Sequence, residues 1–161
     1  MDAVTKRFFI GLGIFALAAM VFLGAWQQKA EASVSWGQEV TEVAKLYKGV
    51  KYKWGGKTPK QGFDASGFTQ FIYDDSAAHI KLPRTTKEQY KAGENVAIKD
   101  LQEGDLVFFN TNGKGASFVG IYLEKGNFIA VTVSKGVSIQ SMDSKYWKTK
   151  YVGAKRVLKQ Y

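Results

Sequence analysis

The stretch GFDASGFTQFIYD, residues 62–74, predicts the start of a central helix. Asp64 is a residue type that caps helix N-termini, and Phe68, Phe71 and Ile72 follow on one face at helical spacing. The first turn after such a cap carries free backbone N–H groups, which favour an anion such as a nucleophilic thiolate. The residue at this position is Ala65. The stretch therefore predicts a helix that presents no nucleophile where one is often found.

Two more helices are predicted, one on each side of this stretch. An apolar stripe runs through residues 35–49 at helical spacing, and Gly49 is the residue type that commonly ends a helix. Further on, Thr85 and Glu88 stand at the spacing of a capping box and predict a brief helix. The first half of the chain is therefore expected to be helical.

The second half has a different character, which begins near Asp105, a residue expected in a turn or at the start of a strand. Short β-rich runs alternate there with turns that contain glycine. Adjacent strands joined by tight turns pair antiparallel, so helices followed by such strands predict an α+β domain. The runs are DLVFF (105–109), ASFVGIYL (116–123), NFIAVTV (127–133), GVSIQ (136–140) and YVGAKRVL (151–158).

The N-terminus has the pattern of an export segment. Lys6 and Arg7 precede an apolar run at residues 8–26, and an A-x-A arrangement that ends at Ala32 is typical of signal peptidase cleavage. The run is also long enough to span a bilayer, so residues 1–32 are predicted to be a signal peptide or an N-terminal membrane anchor. Either alternative places the remaining domain outside the cytoplasm, secreted or associated with the cell wall or membrane.

Composition narrows the chemistry further. The 161 residues contain no cysteine, which excludes a disulfide, a thiol nucleophile and a cysteine-based metal site in this chain. The formal net charge is +9. That charge favours contact with anionic polymers of the envelope or with anionic lipid heads, and it equally fits scattered lysines that keep the domain soluble. Nucleic-acid binding, a cofactor and a metal site are not expected.

The order of motifs resembles the NlpC family of papain-like cysteine peptidases, which cleave the peptide stems of bacterial peptidoglycan. The resemblance implies a papain-like fold in which N-terminal helices pack on an antiparallel β-meander. It covers most of residues 33–161, predicted to be one degenerate peptidase domain. It rests on the stretches YKWGGKTPKQGFDASGFTQFIY (52–73), LPRTTKEQY (82–90), LQEGDLVFF (101–109), ASFVGIYLEKGNFIAVT (116–132) and YVGAKRVL (151–158).

The resemblance also implies where a catalytic set would lie. The family's nucleophilic cysteine corresponds to Ala65, its basic histidine to Phe118, and the residue that orients this histidine to Ala130. Thiolate attack on an amide needs all three functions, and these residues supply none of them. We therefore expect no catalytic residue here, and we expect Phe118 to pack over the two alanines. The chain is predicted to be an exported pseudoenzyme rather than an enzyme.

A binding groove is implied around the same positions. Core packing is the more usual role of a single tryptophan such as Trp54, and Asp64 and Ser66 also fit purely structural capping of the helix. Arg84 is placed to form a charge-assisted pair with a carboxylate of a stem peptide. The predicted groove residues are Tyr52, Trp54, Asp64, Ser66, Arg84 and Ser117.

The predicted function is binding, either to peptidoglycan, to an anionic wall polymer or to an envelope protein. Membrane contact is expected only through the N-terminal segment, if it is not cleaved. A first alternative is an active wall-peptide hydrolase with a non-standard catalytic set. Its discriminating feature is a pairing of Ser66 with His79, which a continuous helix would separate by about 20 Å. A second alternative is a structural subunit of an envelope assembly.

Overall fold

The computed structural model describes residues 35–158, so the predicted signal peptide or anchor lies outside the described residues. Within the described range there is no helix long and apolar enough to cross a membrane. The elements in chain order are α1 (Trp36–Leu46), β1 (Lys57–Thr58), β2 (Gly62–Phe63), α2 (Ala65–Asp75), α3 (Thr86–Gln89), β3 (Glu94–Val96), a 3-10 turn (Ile98–Asp100), β4 (Leu106–Phe109), β5 (Phe118–Tyr122), β6 (Asn127–Thr132), β7 (Gly136–Ser141), α4 (Lys145–Lys148) and β8 (Tyr151–Arg156).

Helix α2 is the central helix that the quoted stretch predicts. Asp64 caps it, because its Oδ1 accepts a hydrogen bond from the backbone N–H of Gly67 at 2.7 Å. Phe68 and Ile72 are fully buried against the sheet, and Phe71 is half-buried beside them. The apolar face therefore fixes the rotation of α2, and the cap fixes where it begins.

The strands form a six-stranded antiparallel sheet in the order β3-β8-β4-β5-β6-β7, and β1 pairs with β2 in a separate ribbon. Strands β4 to β7 are neighbours in chain order, as the predicted meander requires. Strand β8 returns across the sheet and lies between β3 and β4. The predicted α+β fold is confirmed, with this returning strand as an addition to the simple meander.

The two faces of the sheet pack against different layers, because side chains alternate between faces along each strand. One face covers α2 and includes Val119 and Ile121; we call this cluster the helix-side core. The other face contains Phe109, Phe128 and Trp147 of α4; we call this cluster the outer core. Neighbouring residues of β5 therefore belong to different cores.

Helix α1 ends earlier than the sequence indicates. Its last residue is Leu46, with Tyr47 as the C-cap, so Gly49 does not end it. Gly49 instead adopts a left-handed conformation with φ 88°, and its N–H donates to the carbonyl oxygen of Val137 at 2.9 Å. This glycine turns the chain so that it runs along the free edge of β7, the last strand of the sheet.

The buried Tyr73 of α2 predicts a loss of stability in alkaline solution. Its hydroxyl donates to the Gly104 carbonyl oxygen, and burial, with a smaller contribution from the charge of Asp105, raises the pKa of Tyr73 above its ordinary value of 10.0. Above pH 10 the unfolded chain releases this proton while the folded state retains it, so the free energy of unfolding falls as pH rises.

As the pH rises from about 9 to about 11, we expect the free energy of unfolding to fall less for Tyr73→Phe than for the wild type. Urea denaturation at each pH measures this free energy. Tyr146→Phe is the control, because Tyr146 is 53% exposed. Parallel stability curves for the wild type and Tyr73→Phe would contradict the expectation.

Candidate active-site face at the start of the central helix

Asp64 connects three segments at the start of α2. Besides capping the helix, its Oδ2 accepts the N–H of Gly55 at 3.0 Å. Arg84 forms a bidentate pair with it, with Nη1 to Oδ1 at 3.0 Å and Nη2 to Oδ2 at 2.6 Å. The carboxylate therefore holds the glycine turn, the helix start and the loop before α3 together, which is more than a structural cap alone.

Ser66 lies in the first turn of α2 and faces the same ion pair. Its Oγ accepts a hydrogen bond from Arg84 Nη1 at 3.1 Å and donates to Asp64 Oδ1 at 3.4 Å. The residue is only 7% exposed. The structure thus brings together Asp64, Ser66 and Arg84, three of the six predicted groove residues.

A buried polar network fixes the loop that carries Arg84. The amide nitrogen of Gln89 donates to the carbonyl oxygens of Ser66 at 3.0 Å and Pro83 at 2.8 Å, and its amide oxygen accepts from the Thr69 hydroxyl at 2.8 Å. Gln89 is fully buried. Sequence reasoning missed this residue, since the only signal was a glutamine one position after a capping box.

The two aromatic residues of the predicted groove differ in exposure: Tyr52 is half-buried and Trp54 is exposed. Tyr52 bridges to Phe63 and packs against the helix-side core. Trp54 is 82% exposed, so the alternative that it packs in the core is wrong. The turn that carries Trp54 is tied to α2 through the Gly55 contact with Asp64. An exposed indole beside a fixed ion pair offers an apolar surface for a ligand.

Ser117 does not join this constellation through any hydrogen bond of residues 35–158. Its Oγ accepts the N–H of Thr111 at 2.9 Å and shares a hydrogen bond with the Thr111 hydroxyl at 3.1 Å. Its own N–H donates to the Phe109 carbonyl oxygen at 3.0 Å. The role of Ser117 in the described structure is to close the connection between β4 and β5.

The three positions that correspond to the family's catalytic set lie in two different cores. Ala65 packs against the helix-side core, whereas Ala130 is fully buried in the outer core and Phe118 packs against that same cluster. The ring of Phe118 lies 4.9 Å from that of Trp147 and 6.3 Å from that of Phe109. Phe118 therefore shares a cluster with Ala130 but not with Ala65. The expectation that Phe118 packs over both alanines is wrong for Ala65.

His79 lies at the opposite end of α2 from Ser66. Its Nδ1 is 3.1 Å from the carbonyl oxygen of Asp74, in the last turn of the helix. An 11-residue helix is about 16 Å long, far beyond the reach of a general base. The structure therefore does not bring Ser66 and His79 together.

The comparison with known protein families decides the assignment, because the NlpC/P60 family profile matches residues 49–156. The chain belongs to the NlpC/P60 family. It is 42% identical over 118 residues to the Gamma-DL-glutamyl hydrolase of Bacillus subtilis, which covers 73% of this chain and 28% of the relative. It is 40% identical over 137 residues to the Murein DD-endopeptidase MepH of Escherichia coli K12, which covers 80% of this chain and 50% of the relative.

Solved structures of the family share the fold. An NlpC/P60 family protein from Bacillus cereus superposes with a TM-score of 0.71 at 33% identity, over 76% of this chain and 40% of that one. RipD from Mycobacterium tuberculosis, described as a non-catalytic NlpC/p60 domain protein adapted to peptidoglycan binding, superposes with a TM-score of 0.63 at 28% identity, over 77% of this chain and 98% of that one. The predicted NlpC fold is therefore confirmed.

The relatives correct the functional prediction. Those at 37–43% identity are named as endopeptidases and hydrolases, so they point to hydrolase function. The prediction of a pseudoenzyme that binds without hydrolysis is contradicted by this finding. The prediction rested on the expected loss of one thiol-and-imidazole mechanism at Ala65, Phe118 and Ala130, and it extended that loss to every mechanism. The chain spans about a quarter to three-fifths of the length of the first relatives it matches, so their complete activities do not transfer directly.

Proposed function

We propose that the domain acts on the peptide part of bacterial peptidoglycan, outside the cytoplasm, as a hydrolase with a non-standard catalytic set. The observation that carries the proposal is the constellation of Asp64, Ser66 and Arg84 beside the exposed Trp54. The names of the relatives, murein endopeptidases among them, support the substrate class and the reaction.

The sequence contains no cysteine, so the nucleophile is not a thiol, and we propose a hydroxyl oxygen in its place. Ser66 is our candidate, since its hydroxyl lies in the first turn of α2, where free N–H groups favour negative charge. Asp64 accepts its hydrogen bond at 3.4 Å, and the guanidinium of Arg84 at 3.1 Å would stabilise the oxygen as its proton leaves. As the Ser66 oxygen bonds to the carbonyl carbon of the peptide, Asp64 takes its proton and passes it to the amine nitrogen that leaves when the C–N bond breaks. A water then hydrolyses the acyl ester and restores the Ser66 hydroxyl, and this proton transfer requires the Asp64 contact to tighten in the substrate complex.

Substrate recognition is proposed to use the same face. The Arg84 side chain is 35% exposed, so its guanidinium can offer N–H donors to a carboxylate of a stem peptide. The indole of Trp54 offers an apolar plane on which a sugar ring or peptide bond can stack. Asp64 pairs with Arg84 and accepts the N–H of Gly55, the residue after Trp54, so we propose this carboxylate as the positioning residue of the face.

The test is incubation of the full chain with purified sacculi, followed by mass spectrometry of the soluble products. We expect the wild type to release peptide fragments and Ser66→Ala to release about 1% of that amount or less. Ser134→Ala is the matched control, because Ser134 is exposed in the turn between β6 and β7, and it should release as much as the wild type.

Three results would contradict parts of the proposal. Equal release by Ser66→Ala and the wild type would exclude Ser66 as the nucleophile. The sacculi are pelleted after the incubation. If the wild type pellets with them but releases no fragments, hydrolysis is overturned and peptidoglycan remains the proposed ligand. Neither co-pelleting nor release would overturn the assignment to peptidoglycan.

A further inference from the structure

Lysine is concentrated in one part of the described chain. Residues 43–63 contain six lysines and no aspartate or glutamate. Five of these are exposed, Lys48 among them, and four lie in or next to the paired strands β1 and β2. We call these four, Lys51, Lys53, Lys57 and Lys60, the lysine ribbon. Among residues 35–158, no carboxylate forms an ion pair with any of the four; the ion pairs found there involve other cations, such as Arg84 with Asp64. The ribbon is therefore an uncompensated positive surface.

The fold brings the ribbon lysines close together. Backbone hydrogen bonds join Lys53 N–H to the Phe63 carbonyl oxygen at 2.9 Å, and Phe63 N–H to the Lys51 carbonyl oxygen at 3.1 Å. Strand β2 also pairs with β1, which places Lys57 opposite Phe63. The segment with Lys51 and Lys53, strand β2 and strand β1 thus lie side by side in that order. Two strand spacings, about 10 Å, separate the first segment from β1.

The orientation of two of these side chains follows from their neighbour. Tyr52 packs against the helix-side core, and consecutive side chains of an extended segment point to opposite sides. Lys51 and Lys53 therefore both point away from the core. The backbone segments that carry Lys51, Lys53 and Lys57 are separated by about one Debye length or less, so like charges placed on them repel one another.

We propose that the lysine ribbon binds a phosphate-rich polyanion of the bacterial cell wall. A chain of phosphates relieves the repulsion among the four ammonium groups, and lysine suits it because an ammonium is a point charge that needs no fixed partner geometry. A bilayer is the weaker fit, since Trp54 is the only large exposed apolar side chain described in the ribbon segments and membrane-surface elements require an apolar face. The proposal depends on the extracytoplasmic location proposed above, but not on hydrolysis.

The test measures binding of the full chain to long-chain inorganic polyphosphate. At about 0.05 M salt we expect Lys53→Glu/Lys57→Glu/Lys60→Glu to bind at least about tenfold more weakly than the wild type. The control is Lys114→Glu/Lys125→Glu/Lys148→Glu, which changes the net charge equally at exposed positions in other segments and should lose less than about threefold. Raising salt to about 0.2 M should weaken wild-type binding by about 50-fold, as four phosphate contacts predict.

Each contrary result is distinguishable. Equal losses in the two triple variants would show a response to net charge alone and overturn the ribbon as a site. Wild-type binding to phosphatidylglycerol vesicles but not to polyphosphate would overturn the polymer in favour of a membrane surface. Melting temperatures of both variants verify that they fold. Peptide release from sacculi stripped of wall polymers tests the proposed function separately, and the ribbon variant should retain it.

Discussion

Replacement of Asp105 by alanine is expected to lower the free energy of unfolding by about 3 kcal/mol. Asp105 is 2% exposed and accepts two hydrogen bonds from Arg156, with Nε to Oδ1 at 2.8 Å and Nη2 to Oδ2 at 2.7 Å. Its Oδ2 also accepts the N–H of Gln102 at 2.8 Å. The hydrogen bonds that Arg156 donates to Asp105 raise the pKa of Arg156. Without Asp105 the guanidinium still stays charged, because the ordinary pKa of arginine already lies far above neutral pH.

The measurement is urea denaturation, interpreted with a double-mutant cycle on Asp105 and Arg156. In an Arg156→Leu background, Asp105→Ala should cost substantially less, because no unpaired guanidinium then remains. Asp100→Ala is the control, since Asp100 contacts Arg156 through its carbonyl oxygen at 3.0 Å and that oxygen survives the substitution. A loss below about 1 kcal/mol for Asp105→Ala would contradict the importance of this pair.

Replacement of Phe109 by alanine is expected to cost about 4 kcal/mol, the largest effect of any substitution considered. Phe109 is fully buried, and its ring contacts four others. The ring centroids of Phe128 and Trp147 lie at 4.8 Å and 4.9 Å, and those of Tyr151 and Phe118 at 6.0 Å and 6.3 Å. Its removal leaves a cavity that a sheet on one side and α4 on the other cannot easily close.

Chemical denaturation of Phe109→Ala, Phe109→Leu and Tyr146→Ala tests this expectation. Leucine retains much of the volume and should cost less than about half as much as alanine. Tyr146 touches the ring of Trp147 at 4.8 Å but is 53% exposed, so its truncation should cost about 1 kcal/mol or less. If Phe109→Ala and Tyr146→Ala cost the same, the outer core does not contribute to stability as the packing indicates.

Local features of the fold were predictable from the sequence. Asp64 and Thr85 cap their helices as expected, because a cap is an interaction between a side chain and a backbone group three residues away. The apolar face of α2 and the strands from β4 to β7 follow from periodicity in the same way. The position of β8 was not predictable, because periodicity identifies a strand without its partners.

Interactions between distant residues could not be predicted. Arg84 reaches Asp64 across 20 residues, and Arg156 reaches Asp105 across 51. The sequence indicated only a cap at one aspartate and a turn or strand start at the other. The exposure of Trp54 was also open, since an indole fits a core and a binding surface equally well.

The functional prediction failed for a different reason. The resemblance assigns the positions of a thiolate mechanism to Ala65, Phe118 and Ala130, and this assignment stays a prediction. The absence of one nucleophile says nothing about a hydroxyl or a water at the same helix start. The arrangement of Asp64, Ser66 and Arg84 depends on tertiary contacts, so it became visible only in the structure.

The position of β8 has a consequence for biosynthesis. Strands β3 and β4 are made early, yet they do not pair with each other, because β8 fills the space between them. A ribosome that has not yet added Tyr151–Arg156 therefore holds a chain with two open strand edges and an unpaired Asp105. The six-stranded sheet cannot be completed before Tyr151–Arg156 has been made, so β3 and β4 gain their shared partner only after every other strand of the sheet has been synthesised.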